Sequence, residues 1–256
     1  MGIVNVTPDS FSDGGAFLVS RVAIERGLRL VEEGADLLDI GGESTRPGAR
    51  PVDESEELER VLPVLRGLRD SGRPVAIDTM KPGVMRTVLD EGASMINDVN
   101  ALRAPGALEV VAASSAGACM MHMKGEPRTM QLAPHYDDVV SEVSAFLVER
   151  VAAARSAGIE LDRLAVDPGF GFGKTLEHNL ALVRNLSALG KIATVLFGAS
   201  RKASLGHITG QAVGERVHAS VAIALLAVER GAAIVRVHDV AATRDALAVW
   251  KAVKDA

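Results

Sequence analysis

The stretch PVAIDTMKPGVMRTVLDEGASMINDV, residues 74–99, contains one complete structural unit and decides the fold. A short apolar run stops at Asp78, a helical pattern follows over 82–91, Gly92 breaks it, and a second apolar run stops at Asn97. A short run that is apolar almost throughout reads as a strand buried on both faces, as in parallel sheets covered by helices. Gly92 stands where a helix end takes a glycine before the chain turns back. The unit is strand, helix, strand, and both strands end on polar side chains.

The same unit recurs in both directions. GIVN ends at Asn5, DLLDIGGEST at Thr45, ACMMHM at Met121–His122, LAVD at Asp167, TVLFGAS at Ser200 and AIVRVH at Arg236 and His238. Helical patterns occupy 20–33, 54–70, 105–116, 137–157, 176–188, 213–230 and 240–254, and Gly34, Gly117, Gly158 and Gly231 follow helices as Gly92 does. In 137–157 the residues Val139, Val140, Val143, Phe146, Leu147 and Val151 line one face. Strict alternation implies right-handed crossovers and a parallel sheet. The expectation is an α/β fold, a parallel eight-stranded (β/α)8 TIM barrel, with residues 1–256 as a single domain; such barrels run to about 250 residues. Their sites sit at the C-terminal strand ends. The long connections 7–19, 41–53, 123–136, 168–175 and 198–212 all follow strands, which puts them on that face.

Composition narrows the function. The chain is 48% hydrophobic but only 3% aromatic, so its core is built of Ala, Val, Leu and Ile. A net charge of −5 argues against a nucleic-acid partner. Cys119 is the only cysteine and lies inside an apolar run, which fits a buried structural thiol and a reducing, cytoplasmic setting. No apolar run reaches the roughly 18–20 residues that span a bilayer, and no secretory signal is visible, so no membrane partner is expected. GFGFGKT (169–175) suggests a phosphate loop, but that pattern wants Gly where Pro168 stands, and the dinucleotide spacing also fails. His122, His178 and His238 lack the spacing of a zinc helix, and a strand-end His122 reads as a packed, hydrogen-bonded residue.

Asp78, Asn97 and Asp167 bring two carboxylates and an amide into one barrel mouth. They suit a heterocycle presenting several N–H donors; alternatively they cap the following helices, which Asp and Asn do well. The segments NVTPDSFSDGG (5–15), GGESTRPG (41–48), INDV (96–99), MHM (121–123), DPGFGFGK (167–174), SRK (200–202) and RVHD (236–239) resemble the signature segments of the dihydropteroate synthase family, in the family's order and over nearly the whole chain.

That resemblance implies condensation of 6-hydroxymethyl-7,8-dihydropterin diphosphate with para-aminobenzoate, giving 7,8-dihydropteroate and diphosphate for folate synthesis. It makes Asp78, Asn97, Asp167 and Lys202 the pterin's hydrogen-bond partners, with Met121, Phe172 and Arg236 against its ring. Asn5, Arg236 and His238 would hold the diphosphate, Mg2+ bridging Asn5 and phosphate oxygens. Phe11, Thr45, Arg46 and Pro47, together with Lys202 and Ala203, would form the para-aminobenzoate pocket, and Asp13 would close over the site with them. Asp13, Arg46, Lys202, Arg236 and His238 are the expected catalytic set. The resemblance further implies sulfonamides as competitive inhibitors and a homodimer through outer helices.

The hard step is departure of diphosphate from a methylene carbon, which needs positive charge on the leaving group. Arg236 and His238, two apart on a strand, are expected to point to one side. The resemblance favours a dissociative, SN1-like route in which Asp13 offsets charge on the methylene; residue types alone leave in-line displacement open. Ala203 stands where many members carry Ser for the para-aminobenzoate carboxylate, which backbone N–H groups at a helix start near 203–205 could still receive. The chain starts directly in strand one, without the family's usual short N-terminal segment, and has no insertion after Asn97-Asp98. A pterin-binding methyltransferase of the same superfamily would share Asp78, Asn97 and Asp167 but needs neither loop signature. An aldolase-type barrel would need a strand-end Schiff-base lysine, and a non-catalytic paralogue would not need the leaving-group residues.

Overall fold

The computed structural model describes residues 1–6, 15–44, 49–126 and 129–256, with the backbone alone for 15–18. Its strands are β1 (Gly2–Asn5), β2 (Leu38–Gly41), β3 (Val75–Asp78), β4 (Met95–Asp98), β5 (Gly117–Met121), β6 (Leu164–Asp167), β7 (Thr194–Phe197) and β8 (Ile234–Val235). They pair in parallel and in chain order, β1 to β8. The ring closes where Gly2 bridges Val237: Ile3 N donates to Val237 O at 3.0 Å and Val237 N to Met1 O at 2.9 Å. This is the expected barrel.

Between the strands run α1 (Gly15–Glu32), α2 (Glu54–Leu68), α3 (Pro82–Asp90), α4 (Ala107–Ala112), α5 (Val139–Ser156), α6 (Leu176–Arg184), α7 (Ala203–Thr209), α8 (Val217–Glu229) and α9 (Val240–Lys254). Local chemistry sets several starts. Asp53 caps α2 by accepting from Glu56 N at 2.8 Å, and Asp138 caps α5 through Ser141 N at 2.8 Å. Thr175 and His178 cap α6 reciprocally. Several expectations shift: α4 ends at Ala112 rather than near 116, α6 at Arg184 rather than near 188, and α8 begins at Val217 rather than near 213. Helix α1 begins at Gly15 rather than near 20, the connection 198–212 contains α7, and Gly117 opens β5 instead of ending a helix.

Strand alternation then sorts the side chains. Val4, Leu38, Ile40, Val75, Ile77, Ile96, Met120, Val166 and Phe197 face the helices and join the main core. Ala76, Met95, Cys119, Ala165 and Leu196 point the other way and fill the lumen as a separate small cluster, with Met1, Leu37 and Ile234 against it. Small and aliphatic residues fill that narrow interior, with no aromatic among them.

Ile77 and Asp78 are neighbours on opposite faces, so their substitutions should separate stability from binding. Ile77→Ala removes a fully buried side chain and should cost about 2–5 kcal/mol of unfolding free energy, read by urea titration. The strand-end site of the folded fraction should stay intact.

Candidate active site

Two residues beyond the lumen side chains, alternation delivers Asn5, Gly41, Asp78, Asn97, Met121, Asp167, Gly198 and Arg236 to the C-terminal mouth. Asp78, Asn97 and Asp167 do not cap helices: the caps of α3, α4 and α6 are Lys81, Gly106 and Thr175. Asn97 and Asp167 are each only 6% exposed. Helix capping therefore does not account for them.

Arg236 ties the mouth together. Its Nε donates to Asp39 Oδ2 and its Nη2 to Asp78 Oδ2 at 3.0 Å, while Asn97 Nδ2 donates to the same Asp39 oxygen at 3.2 Å. Gly198 lies between Arg236 and Asp167: a Cβ there would be 3.6 Å from Arg236 Cβ and 3.8 Å from Asp167 Oδ2. Asp39 was not among the residues expected from sequence. The available signal was a charge in the middle of the apolar run DLLDIGG.

Burial dominates the titrations. It pushes Asp78 up to about 7, with Arg236 opposing and Asp39, Glu57 and Asp98 adding to the rise. Asp167 is likewise raised by burial, against Lys202 and the Gly169 N–H that donates to its Oδ1 at 2.7 Å. Burial lowers Lys202 to about 8 despite Asp167. It would lower Arg236 as well, but Asp39 and Asp78 hold its pKa above the ordinary value.

The loop after β6 supplies an aromatic wall. Gly169 has φ +68°, and a Cβ there would overlap the His122 carbonyl oxygen. The Lys174 amine, 3% exposed, donates to His122 Nδ1 at 2.9 Å, Phe172 O at 2.9 Å and His122 O at 3.3 Å. His122 can accept because burial, reinforced by Lys174, holds its pKa down to about 3. It is the packed residue expected, edge-on to Phe146. Lys174 is thus a brace of the loop. Phe172 packs against Val99, Met121, Met123 and Met130, and Lys202 lies over its ring, 4.5 Å from the centroid, while donating to Phe170 O at 2.5 Å.

A separate cavity of about 500 Å³ is lined by Asn5, Arg26, Glu33, Arg201, His238 and Asp239 among others. His238 Nδ1 is 2.9 Å from Ser200 Oγ, and Arg26 donates to the His238 carbonyl at 2.6 Å. Arg201 forks onto Asp239. The expected pairing of Arg236 and His238 on one side of one strand is modified: β8 ends at Val235, Arg236 is bonded to Asp39 and Asp78, and His238 lines the Asn5 cavity. Ala203 is exposed at the start of α7, whose N-cap Lys202 makes no side-chain cap bond. Phe11, Asp13, Thr45, Arg46 and Pro47 lie outside the described residues. Among the described residues no three His, Cys, Asp or Glu side chains form a metal cage. No helix among them is long and apolar enough to cross a membrane.

A profile of the pterin-binding enzyme family matches residues 1–238. The dihydropteroate synthase of Neisseria meningitidis serogroup B is 51% identical over 98% of this chain and 91% of its own. The solved structure of Xanthomonas albilineans dihydropteroate synthase with 4-aminobenzoic acid is 56% identical and superposes with a TM-score of 0.94, covering all of this chain and 93% of that one. A Yersinia pestis dihydropteroate synthase solved with a sulfonamide drug is 44% identical with a TM-score of 0.95, over all of this chain and 94% of that one.

The Lys174 brace has a pH signature. Burial lowers its pKa from 10.5 to about 7. Between those values the unfolded chain binds more protons at this amine than the folded one, so the group's contribution to stability rises with pH across that window. Lys174→Met should lack that rise. Melting temperatures of both proteins from pH 7 to 10 test it, and parallel curves would reject the assignment.

Proposed function

The chain belongs to the dihydropteroate synthase family of pterin-binding enzymes, and from that membership we propose how its residues divide the reaction. The enzyme condenses 6-hydroxymethyl-7,8-dihydropterin diphosphate with para-aminobenzoate, releasing diphosphate and forming 7,8-dihydropteroate for folate synthesis. The observation that carries the assignment of roles is the buried polar slot of Asp78, Asn97, Asp167 and Lys202, walled by Met121 and Phe172, together with the separate Asn5–His238 cavity.

In this reading the slot's carboxylates and amide accept the pterin's N–H groups, and Lys202 donates to it. Two of Arg236's five N–H donors are engaged by Asp39 and Asp78, and its remaining edge is available to the ring and the diphosphate. Asn5 and His238 receive the diphosphate in the cavity they line. Asn5 also fits a role as Mg2+ ligand: it is exposed at a strand end beside that cavity, and Mg2+ commonly takes few protein ligands and several from phosphates and water. When bound, Mg2+ would offset charge on the leaving group.

The arylamine of para-aminobenzoate is neutral at pH 7 and needs no strong base, so leaving-group stabilisation by Arg236 and His238 is the main electrostatic task. We favour a dissociative route with Asp13 facing the methylene. Phe11, Thr45, Arg46 and Pro47, with Lys202 and Ala203, would hold para-aminobenzoate, where sulfonamides would compete, as supported by the drug-bound Yersinia pestis relative. A homodimer through the outer helices is supported by the exposed Leu226, Val249 and Val253 on α8 and α9, and a reducing, cytoplasmic setting by the single buried Cys119.

Incubation with pterin diphosphate, para-aminobenzoate and Mg2+ should release diphosphate in step with dihydropteroate. Pterin binding with no diphosphate released would instead make the chain a binding paralogue. Asp167→Asn should weaken pterin binding by about 1.5–3 kcal/mol, the range for hydrogen bonds to a charged group. Unchanged affinity would remove Asp167 from the slot.

A further inference from the structure

We propose that Asp39 is a positioning residue for pterin recognition, setting from the barrel floor the orientation of both the Asn97 amide and the Arg236 guanidinium through one carboxylate oxygen. This rests on Asn97 and Arg236 being pterin-slot residues.

The first argument is location. Alternation puts Asp39 on the lumen face with Ile3, Ala76, Met95, Cys119, Ala165, Leu196 and Ile234, where it is the charged member, with no exposure at all. An ionised carboxylate there carries a large desolvation cost, and a buried ion pair seldom stabilises a fold more than apolar packing does. Stability alone therefore gives no reason for an acid in the lumen. Two residues on, Gly41 places no side chain between Asp39 and the mouth, and a Cβ there would sit 3.7 Å from Asp78 Cβ.

The second argument is chemical polarity. An ionised carboxylate only accepts hydrogen bonds. Asn97 must therefore offer Asp39 its NH2 group, as the 3.2 Å contact from Nδ2 shows, which turns the amide oxygen away from the floor as an acceptor. Without Asp39 nothing on the floor distinguishes the two ends of the amide, and the preference for an N–H donor at this position weakens. The same oxygen receives Arg236 Nε, while Asp78 takes Nη2. Two anchors on a planar group set its plane as well as its place. No other side-chain hydrogen bond involving Asp39 occurs among the described residues, and its Oδ1 has no partner there.

Asp39→Asn keeps the shape but removes the charge and presents N–H groups to Arg236. Titration of the folded variant with pterin diphosphate should show affinity weakened by about tenfold or more, while KM for para-aminobenzoate at saturating pterin stays within about twofold. In an Asn97→Ala background the same change should cost clearly less, since part of what Asp39 orients is gone. Affinity within about twofold of the unmodified enzyme, or losses that simply multiply in the double variant, would overturn the proposal. A purely structural role would lower the melting temperature and leave the affinity of the folded fraction untouched. Should Asp39→Asn fail to fold, the unmodified enzyme still decides. Its Arg236 Nε–H resonance, assigned by comparison with Arg236→Lys, should exchange slowly with solvent, and rapid exchange would sink the idea. An unmodified enzyme that binds pterin but forms no dihydropteroate would overturn the reading of the reaction and not this one, because the Asp39 measurement reads binding.

Discussion

Each strand of this barrel is closed in twice, by helices on one side and by a packed lumen on the other. A polar side chain along its length must be desolvated, which costs roughly 2–7 kcal/mol on transfer scales unless it finds partners, as Asp39 and Asp98 do. Only the last position on the lumen side meets a ligand or solvent. The period of two then does the rest: Ala76 leads to Asp78, Met95 to Asn97, Cys119 to Met121, Ala165 to Asp167 and Leu196 to Gly198. A slip of one residue in any strand would send its site residue into the helical layer, so packing of the core and placement of the site are one constraint.

That is why the strand ends were legible and other parts were not. Apolar runs announced where β3, β4 and β6 stop, and the capped helices α2, α5 and α6 began within two residues of where periodicity placed them. Only the start of α7, near 203–205, was legible, because ASLGHIT buries only Leu205 and carries Gly206 mid-helix, so it shows neither an apolar face nor good propensity along its length. The early start of α1 was hidden because 15–19 lay within the Gly- and Ser-bearing connection 7–19. Asp39 was opaque for a different reason. Its partner Arg236 lies 197 residues away in sequence, and no local pattern distinguishes an acid that meets such a partner from a misplaced charge. Lys174 is similar, since its meaning depends on His122, 52 residues distant.

Neighbouring residues of the INDV segment show how finely the two faces are divided. Asn97 turns into the slot. Asp98, buried on the opposite face, accepts from the backbone N–H groups of Asn100 and Leu102, both at 2.7 Å. Those bonds hold Ala101 and Leu102 in the left-handed region, at φ 56° and 54°, and Arg150 takes both of their carbonyls. Burial raises Asp98 to about 6 in spite of the two backbone donors. One carboxamide faces the barrel mouth while the adjacent carboxylate builds the turn that returns the chain to the barrel wall.

The contrast between strand and connection also bears on how selective each half of the site is. Slot residues on β3, β4 and β6 are held by the sheet, and a rigid polar site rejects ligands lacking the matching groups far more strongly than an apolar one. The residues proposed for para-aminobenzoate belong instead to connections. The best-anchored of these, between β2 and α2, is held at its base by Lys81, which pairs with Glu43 at 2.6 Å and with the fully buried Glu57, and by Glu43 accepting from Val52 N at 3.1 Å. Those contacts join β2, β3 and α2 but do not reach into the slot. Selectivity on this reading is strong for the pterin, whose partners are built into the barrel, and weaker for the second substrate. A sulfonamide has only to satisfy the weaker half.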